Sequence, residues 1–508
     1  MLVLMFGGMS LSAQEMTPGK LKVLYNSLDP TSISQHLAFY DLYSHTPDGQ
    51  QALREAYRLL SNGKHITETL SPVPPALSSS IQAIVGLVNK HSGDTSIELT
   101  DAELAQIDTL ASRLPNRRLP GSRATSEAEV MALEPNQIDL ARGVLLSQLG
   151  NDPSAMRKIR SYGAVIDLMA LQILARVEIN ASPKAKIRAI NRFIFEEMGF
   201  RFPPHSTYAK DIDLYTFLPS VLDSRRGVCL GVSILYLCLA QRLNLDLEIV
   251  TPPGHIFVRW RHHGHEINIE TTARGTNIPT DAYLGVDTRS LQERNLKETI
   301  GMAHFNQASV YWERKEYDKA LASYLKAKPY LPDDKQLLCL MGYIYLLQGN
   351  AQEANPLMKQ VADYLPEFAV SKDTVAEDYL SGAAGPEAIR AVFMRVDETR
   401  ESLIEKRKAL EESLKKYPRF REGIFSLAGT WLQLHRAGEA LEMLQKYHDL
   451  DPKNATVEYY LATLYTERMD YNRAWKHLHL AEKLTAERNH NPKPLLELRK
   501  ELVQHCPD

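Results

Sequence analysis

The sequence predicts a mostly helical chain in which an α+β domain is followed by an all-α solenoid of repeated helix pairs. Three observations predict this. Apolar residues recur at helical spacing through much of the chain, and the run from 156 to 177 is apolar almost all round, as in a buried helix. Short alternating runs follow, at Leu247 to Val250, His255 to Trp260 and His265 to Glu270, and these read as strands of a small antiparallel sheet. From Ala308 onward the same small and aromatic residue types return every 34 residues.

The 508 residues suffice for several cores, and Lys plus Arg (59) nearly balances Asp plus Glu (62). With no basic excess, neither nucleic acid nor an anionic membrane is an expected partner. Four cysteines exclude a disulfide scaffold. Residues 1–13 form an apolar stretch followed by Gln14-Glu15, which reads as a signal peptide and predicts export to an extracytoplasmic compartment. The alternative is an apolar N-terminus on a cytoplasmic protein. Beyond it no apolar run is long enough to span a membrane in the mature chain.

Residues 14–112 read as short helices, one with a capping box at Thr100 to Glu103 and one over Ala76 to Lys90. Residues 113–136 hold prolines, a glycine and small polar residues, and read as a linker. The α+β domain is expected over 137–290. Its helices are 137–149, 156–177, Pro183 to Met198 and Leu230 to Leu243.

Two helix pairs are expected over 301–368 and two more over 421–488. Ala308, Tyr311, Ala320, Tyr324 and Ala327 return 34 positions on as Gly342, Tyr345, Ala354, Met358 and Val361. Ala428, Trp431, Ala440 and Leu444 return as Ala462, Tyr465, Ala474 and Leu478. Residues 369–420 fit the period poorly and read as an irregular helical insert, with a charged helix from Arg395 to Lys416, or as a degenerate repeat ending at Pro418; 489–508 reads as a capping helix or tail.

One constellation carries chemistry. Gly227 marks a turn and the apolar helix begins just after it, so Cys229 stands near a helix N-terminus. Dipole and free amides there favour a thiolate, and the amides around Leu230 would stabilise a developing oxyanion. Cys238, nine residues on, falls on the opposite side of the helix and reads as core; Cys339 and Cys506 read as incidental. Pro252-Pro253-Gly254 leads into the strand beginning at His255, and Arg261 to Gly264 reads as a four-residue turn. If Trp260 pairs with His265, then His255 lies opposite Glu270 and Arg259 opposite Glu266, with Asn268 on the diagonal. A base beside an orienting acid is the arrangement that activates a thiol. His255, His262, His263 and His265 have no helical zinc spacing, so neither metal nor cofactor is expected.

Cysteine at a helix start, histidine on a strand and an acid on the next strand resemble the transglutaminase-like superfamily. The stretches Asn191 to Phe200, Phe217 to Cys229, Ser233 to Leu243, Pro253-Gly254-His255 and Asn268 to Thr272 resemble its bacterial core type, often joined to tetratricopeptide repeats, which the 34-residue pattern resembles. The resemblance implies a papain-like fold with Cys229 as nucleophile, His255 as base and Glu270 as acid. The superfamily acid is usually Asp; many relatives of this type have lost the cysteine, which is retained here.

Two functions follow as expectations. One is a thiol enzyme that cleaves or transfers peptide or protein amide bonds through a thioester, with the repeats recruiting a protein. The other is a non-catalytic scaffold in which the repeats bind the protein and the domain is a platform. Repeat phase puts Phe305, Trp312, Tyr343, Leu346 and Leu347 on the partner-binding surface.

Overall fold

The computed structural model describes residues 17–60, 99–203, 215–396 and 399–506. The apolar leader and the helix expected over Ala76 to Lys90 lie outside the described residues. Among those described, no helix is long and apolar enough to cross a membrane.

The N-terminal region is helical over Pro18–Asn26, Ile33–Tyr43, Pro47–Leu60 and Asp101–Ala111. The capping box forms as expected: Glu103 N donates to Thr100 Oγ1 at 3.3 Å, and Thr100 N donates to Glu103 Oε2 at 2.7 Å. Residues 113–136 are not a linker. They fold into short 3₁₀ turns, Pro115–Arg118, Pro120–Arg123 and Pro135–Gln137, and a helix, Glu127–Ala132, with Leu114, Ala124 and Val130 buried. Each proline that reads as a breaker opens a turn, where its fixed φ fits and its missing N–H has no partner to lose. Asn116 and Arg117 then tie the segment inward, to Asp139 at 2.8 Å and Asp167 at 2.9 Å.

The core of the α+β unit is the helix Cys229–Arg242, buried along almost its whole length against Leu140–Leu149 and Pro153–Leu174. Its last residue, Arg242, is buried and meets Asp167 at 2.6 Å, so the charge is paired where it cannot be hydrated. The helix starting at Pro183 stays α-helical to Asn191 and continues as a π-turn over Arg192–Glu197.

Four antiparallel strands lie beside this helix layer: β1 (Glu248–Thr251), β2 (Phe257–His262), β3 (His265–Ile269) and β4 (Gln292–Arg294), in the order β3-β2-β1-β4. The fourth strand has no signal in the sequence. The β2–β3 register differs from the expected one by two residues: His262, not Trp260, stands opposite His265. The connection is a two-residue turn, with positive φ at His263 (46°) and Gly264 (78°), the left-handed pair that a tight hairpin turn requires. Arg259 therefore stands opposite Asn268, and reaches Glu266 along the diagonal at 3.4 Å. His255 precedes β2 rather than opening it.

The repeats form helix pairs: Leu296–Glu313 with Tyr317–Ala327, Lys335–Leu347 with Ala351–Val361, Arg421–Gln433 with Ala437–Leu450, and Ala455–Glu467 with Tyr471–Ala486. Lys493–His505 packs on the last pair. Ala308, Ala320, Ala354, Ala428, Ala440, Ala462 and Ala474 are all buried, so the recurring small residues sit where helices meet. Between the halves lie Val375–Leu380, Pro386–Val392 and Arg400–Lys416. The stretch between β3 and β4 joins the solenoid directly: Val370 N donates to Asp287 O at 2.8 Å and Arg289 N to Phe368 O at 2.9 Å.

Candidate functional site: a cysteine, a histidine and a buried glutamate

Cys229 is the first residue of its helix and is half-buried. Val228 precedes it and has no side-chain group to cap the helix, so no cap occupies the first-turn amides. Two glycines permit this start. A Cβ on Gly227 would lie 2.5 Å from Val232 Cγ2, and one on Gly231 would lie 2.4 Å from the Tyr215 carbonyl oxygen. That same carbonyl accepts the Val228 N–H at 3.1 Å, so the close approach pins the turn leading into the cysteine. Thr271 holds the other side, its hydroxyl donating to Cys229 O at 3.4 Å and meeting Ser233 Oγ at 3.1 Å.

His255 is delivered by the turn Pro252 to Gly254, closed by His255 N to Pro252 O at 3.1 Å, with Gly254 at φ 72°. Its Nε2 lies 2.5 Å from Glu270 Oε2; the His255 side chain is 29% exposed and that of Glu270 4%. The Cys229 side chain, then the bond to Glu270, raises the imidazole pKa from 6.5 to about 10 against the opposing effect of burial. Burial alone would raise the Glu270 carboxyl; hydrogen bonds from His255 and Thr272 outweigh it and hold the carboxyl below its ordinary value. A carboxylate only accepts, so His255 Nε2 carries the proton in that pair.

Glu270 has more partners than sequence spacing reveals. Its Oε1 accepts from Thr272 N at 3.1 Å and Thr272 Oγ1 at 2.6 Å, because Glu270 caps the 3₁₀ turn Thr271–Ala273. Its Oε2 also accepts from Tyr283 Oη at 2.9 Å. Burial, then the hydrogen bond to Glu270, push the Tyr283 phenol upward, so it remains a donor. The Tyr283 ring stacks on Phe257 at 4.6 Å and lies parallel to His255 at 6.1 Å. Thr272, two residues past an acid, carries a local capping signal; Tyr283 carries none.

Asn268 does not reach His255. Its Nδ2 donates to Ile278 O at 2.8 Å and Thr280 Oγ1 at 3.0 Å, holding the turn Thr280–Tyr283 that presents Tyr283. The side chain of Leu230 is buried in the helix layer, which leaves only its amide for chemistry. Cys238 is fully buried, and burial raises its thiol far above the ordinary value. The rings of His262 and His263 are 4.0 Å apart, and among the described residues no third ligand joins the hairpin histidines.

The expected partner-binding residues do not form an open surface. Trp312, Tyr343 and Leu346 are buried, and Phe305 and Leu347 are half-buried. Phe393, from the insert, sits 5.3 Å from both Trp312 and Tyr343 and closes an aromatic cluster over the first two helix pairs.

The family model described as the transglutaminase-like superfamily matches residues 160–297, which include the cysteine, the histidine and the glutamate. Residues 160–297 are thus similar to that superfamily. Over 72 residues, 14% of the chain, the sequence is 33% identical to F-box only protein 21 of Mus musculus, and the match spans 11% of that protein. Over 210 residues it is 22% identical to a UPF0162 protein of Xylella fastidiosa, covering 38% of this chain and 73% of that one. Among solved structures, the TPR2AB domain of yeast Sti1 in its pHSP90 complex is 20% identical, with a TM-score of 0.21, over 40% of this chain and 85% of that one.

Proposed function

We propose that the transglutaminase-like domain is a cysteine-dependent enzyme acting on amide bonds of peptides or proteins. The observation that carries this reading is His255 bonded through Nε2 to the buried carboxylate of Glu270, with Cys229 at the helix start raising the imidazole pKa beside it. Glu270 accepts the hydrogen bond from Nε2–H, so Nδ1 remains to take the thiol proton. The sulfur adds to the amide carbonyl, and the first-turn amides of the helix, that of Leu230 among them, receive the charge on oxygen. Imidazolium, favoured by the raised pKa, gives its proton to the leaving amine. A thioester on Cys229 remains, and water or a second amine releases it, giving hydrolysis or transamidation. The paired helices of the solenoid would recruit the protein that carries the amide.

Alkylation by iodoacetamide at limiting reagent, followed by peptide mapping, tests the reading. Cys229 should label well ahead of Cys238, Cys339 and Cys506. His255→Ala should remove most of that advantage, and Glu270→Gln should cause an intermediate loss. Labelling indifferent to both substitutions would mean a merely accessible thiol, and the domain would then be a platform beside the repeats.

A further inference from the structure

The last two helix pairs bring three metal-ligating side chains together in the interior of the solenoid, far along the chain from the cysteine. His448 lies on the helix Ala437–Leu450, Glu458 on Ala455–Glu467 and His477 on Tyr471–Ala486. His448 Nδ1 is 2.6 Å from Glu458 Oε1, and His477 Nδ1 is 2.7 Å from Glu458 Oε2. One ligand atom from each residue falls within 4.8 Å of the other two, and this is the one such group of three among the described residues. The Glu458 side chain is 0% exposed, His477 4% and His448 15%. The rings cross at 81°, centroids 5.0 Å apart, and Tyr465 stacks on His477 at 5.5 Å, which fixes its orientation.

We propose that His448, Glu458 and His477 bind a first-row divalent cation of the zinc class. A carboxylate so fully buried is costly unless a positive charge meets it, and among the described residues neither Lys nor Arg pairs with Glu458. The two imidazoles meet its oxygens through Nδ1. A divalent cation brings the charge and takes the same atoms as ligands. Two imidazole nitrogens and one carboxylate oxygen suit zinc, at about 2.0–2.2 Å, rather than calcium or magnesium, which prefer oxygen. On binding, each imidazole moves its proton from Nδ1 to Nε2 and gives the Nδ1 lone pair to the metal. No other bond changes, and water completes the coordination. The ion would tie consecutive pairs together, since the ligands come from both.

The test uses the full chain with Cys229→Ala, so that the thiol beside His255 cannot take the ion, stripped with chelator and titrated with zinc chloride by calorimetry. One equivalent should bind, and Tm should rise until that equivalent is filled. Glu458→Gln and His477→Gln should each weaken binding at least about tenfold. Cobalt(II) in place of zinc should give visible bands without thiolate charge transfer. No binding, unchanged affinity in the variants, or a thiolate band placing the ion on Cys339 or Cys506 would overturn the proposal. If Glu458→Gln fails to fold by circular dichroism, His448→Gln, at the more exposed edge, replaces it and should show the same loss of affinity.

Discussion

Glu270 Oε2 is shared by His255 Nε2 at 2.5 Å and Tyr283 Oη at 2.9 Å. The tyrosine is therefore a positioning residue: it acts on the imidazole through the carboxylate. Tyr283→Phe keeps the ring that stacks on Phe257 and deletes only the hydroxyl. Losing a hydrogen bond to a charged acceptor should destabilise the fold by about 1.5–3 kcal/mol. Urea unfolding at neutral pH measures it. A loss within about 0.5 kcal/mol, the range of an inert surface change, would show that the hydroxyl does not hold the carboxylate.

The raised imidazole makes stability depend on pH in a defined direction. His255 titrates near 6.5 unfolded and about 10 folded, so the native state holds the extra proton between those values. The contribution is complete below 6.5 and disappears as pH rises through about 10. The Tm difference between the natural chain and His255→Gln should therefore be widest below 6.5 and close toward 10. A gap that stays constant or widens with pH would contradict a raised histidine.

Gly231 tests how the cysteine is held. An added Cβ would stand 2.4 Å from a backbone carbonyl, which has no rotamer to escape by. Gly231→Ala should cost about 1–3 kcal/mol through overpacking. It should also slow Cys229 alkylation, because the first turn must move. A variant as stable and as reactive as the natural chain would show that this close approach is not needed.

How much of the site was legible depended on parity and local capping. The hairpin register differs from expectation by two residues, yet His255 still meets Glu270, because a shift of two keeps every side chain on its face. The turn itself was illegible: a histidine at positive φ stands where Asn-Gly would have announced a tight turn. The helix beginning at Cys229 follows from Gly227 and the apolar run after it. Tyr283 arrives on a loop that Asn268 holds from the neighbouring strand, and no local spacing encodes that. The prolines of 113–136 have two meanings, and only packing against Asp139 and Asp167 selects helical starts over linker. Phe393 belongs to a segment outside the 34-residue period, so repeat phase could not foresee that it covers Trp312 and Tyr343.

The repeat register makes the last prediction, and it separates two alanines on adjoining turns of the same helix. Ala354 and Ala351 both lie on Ala351–Val361, but Ala354 is buried whereas Ala351 is exposed. Ala354 stands 34 positions after Ala320, which is also buried, at the place where the two helices of a pair approach. Three more carbons there must push the helices apart or force strained rotamers. Ala320→Leu and Ala354→Leu should each destabilise by about 1–3 kcal/mol. Ala351→Leu adds the same atoms in solvent and should stay within about 0.5 kcal/mol of the natural chain. Thermal and urea unfolding of the three variants make the comparison. Equal effects at all three would mean that the small residues do not mark the helix contact, and the pairing read from the 34-residue period would have to be drawn elsewhere.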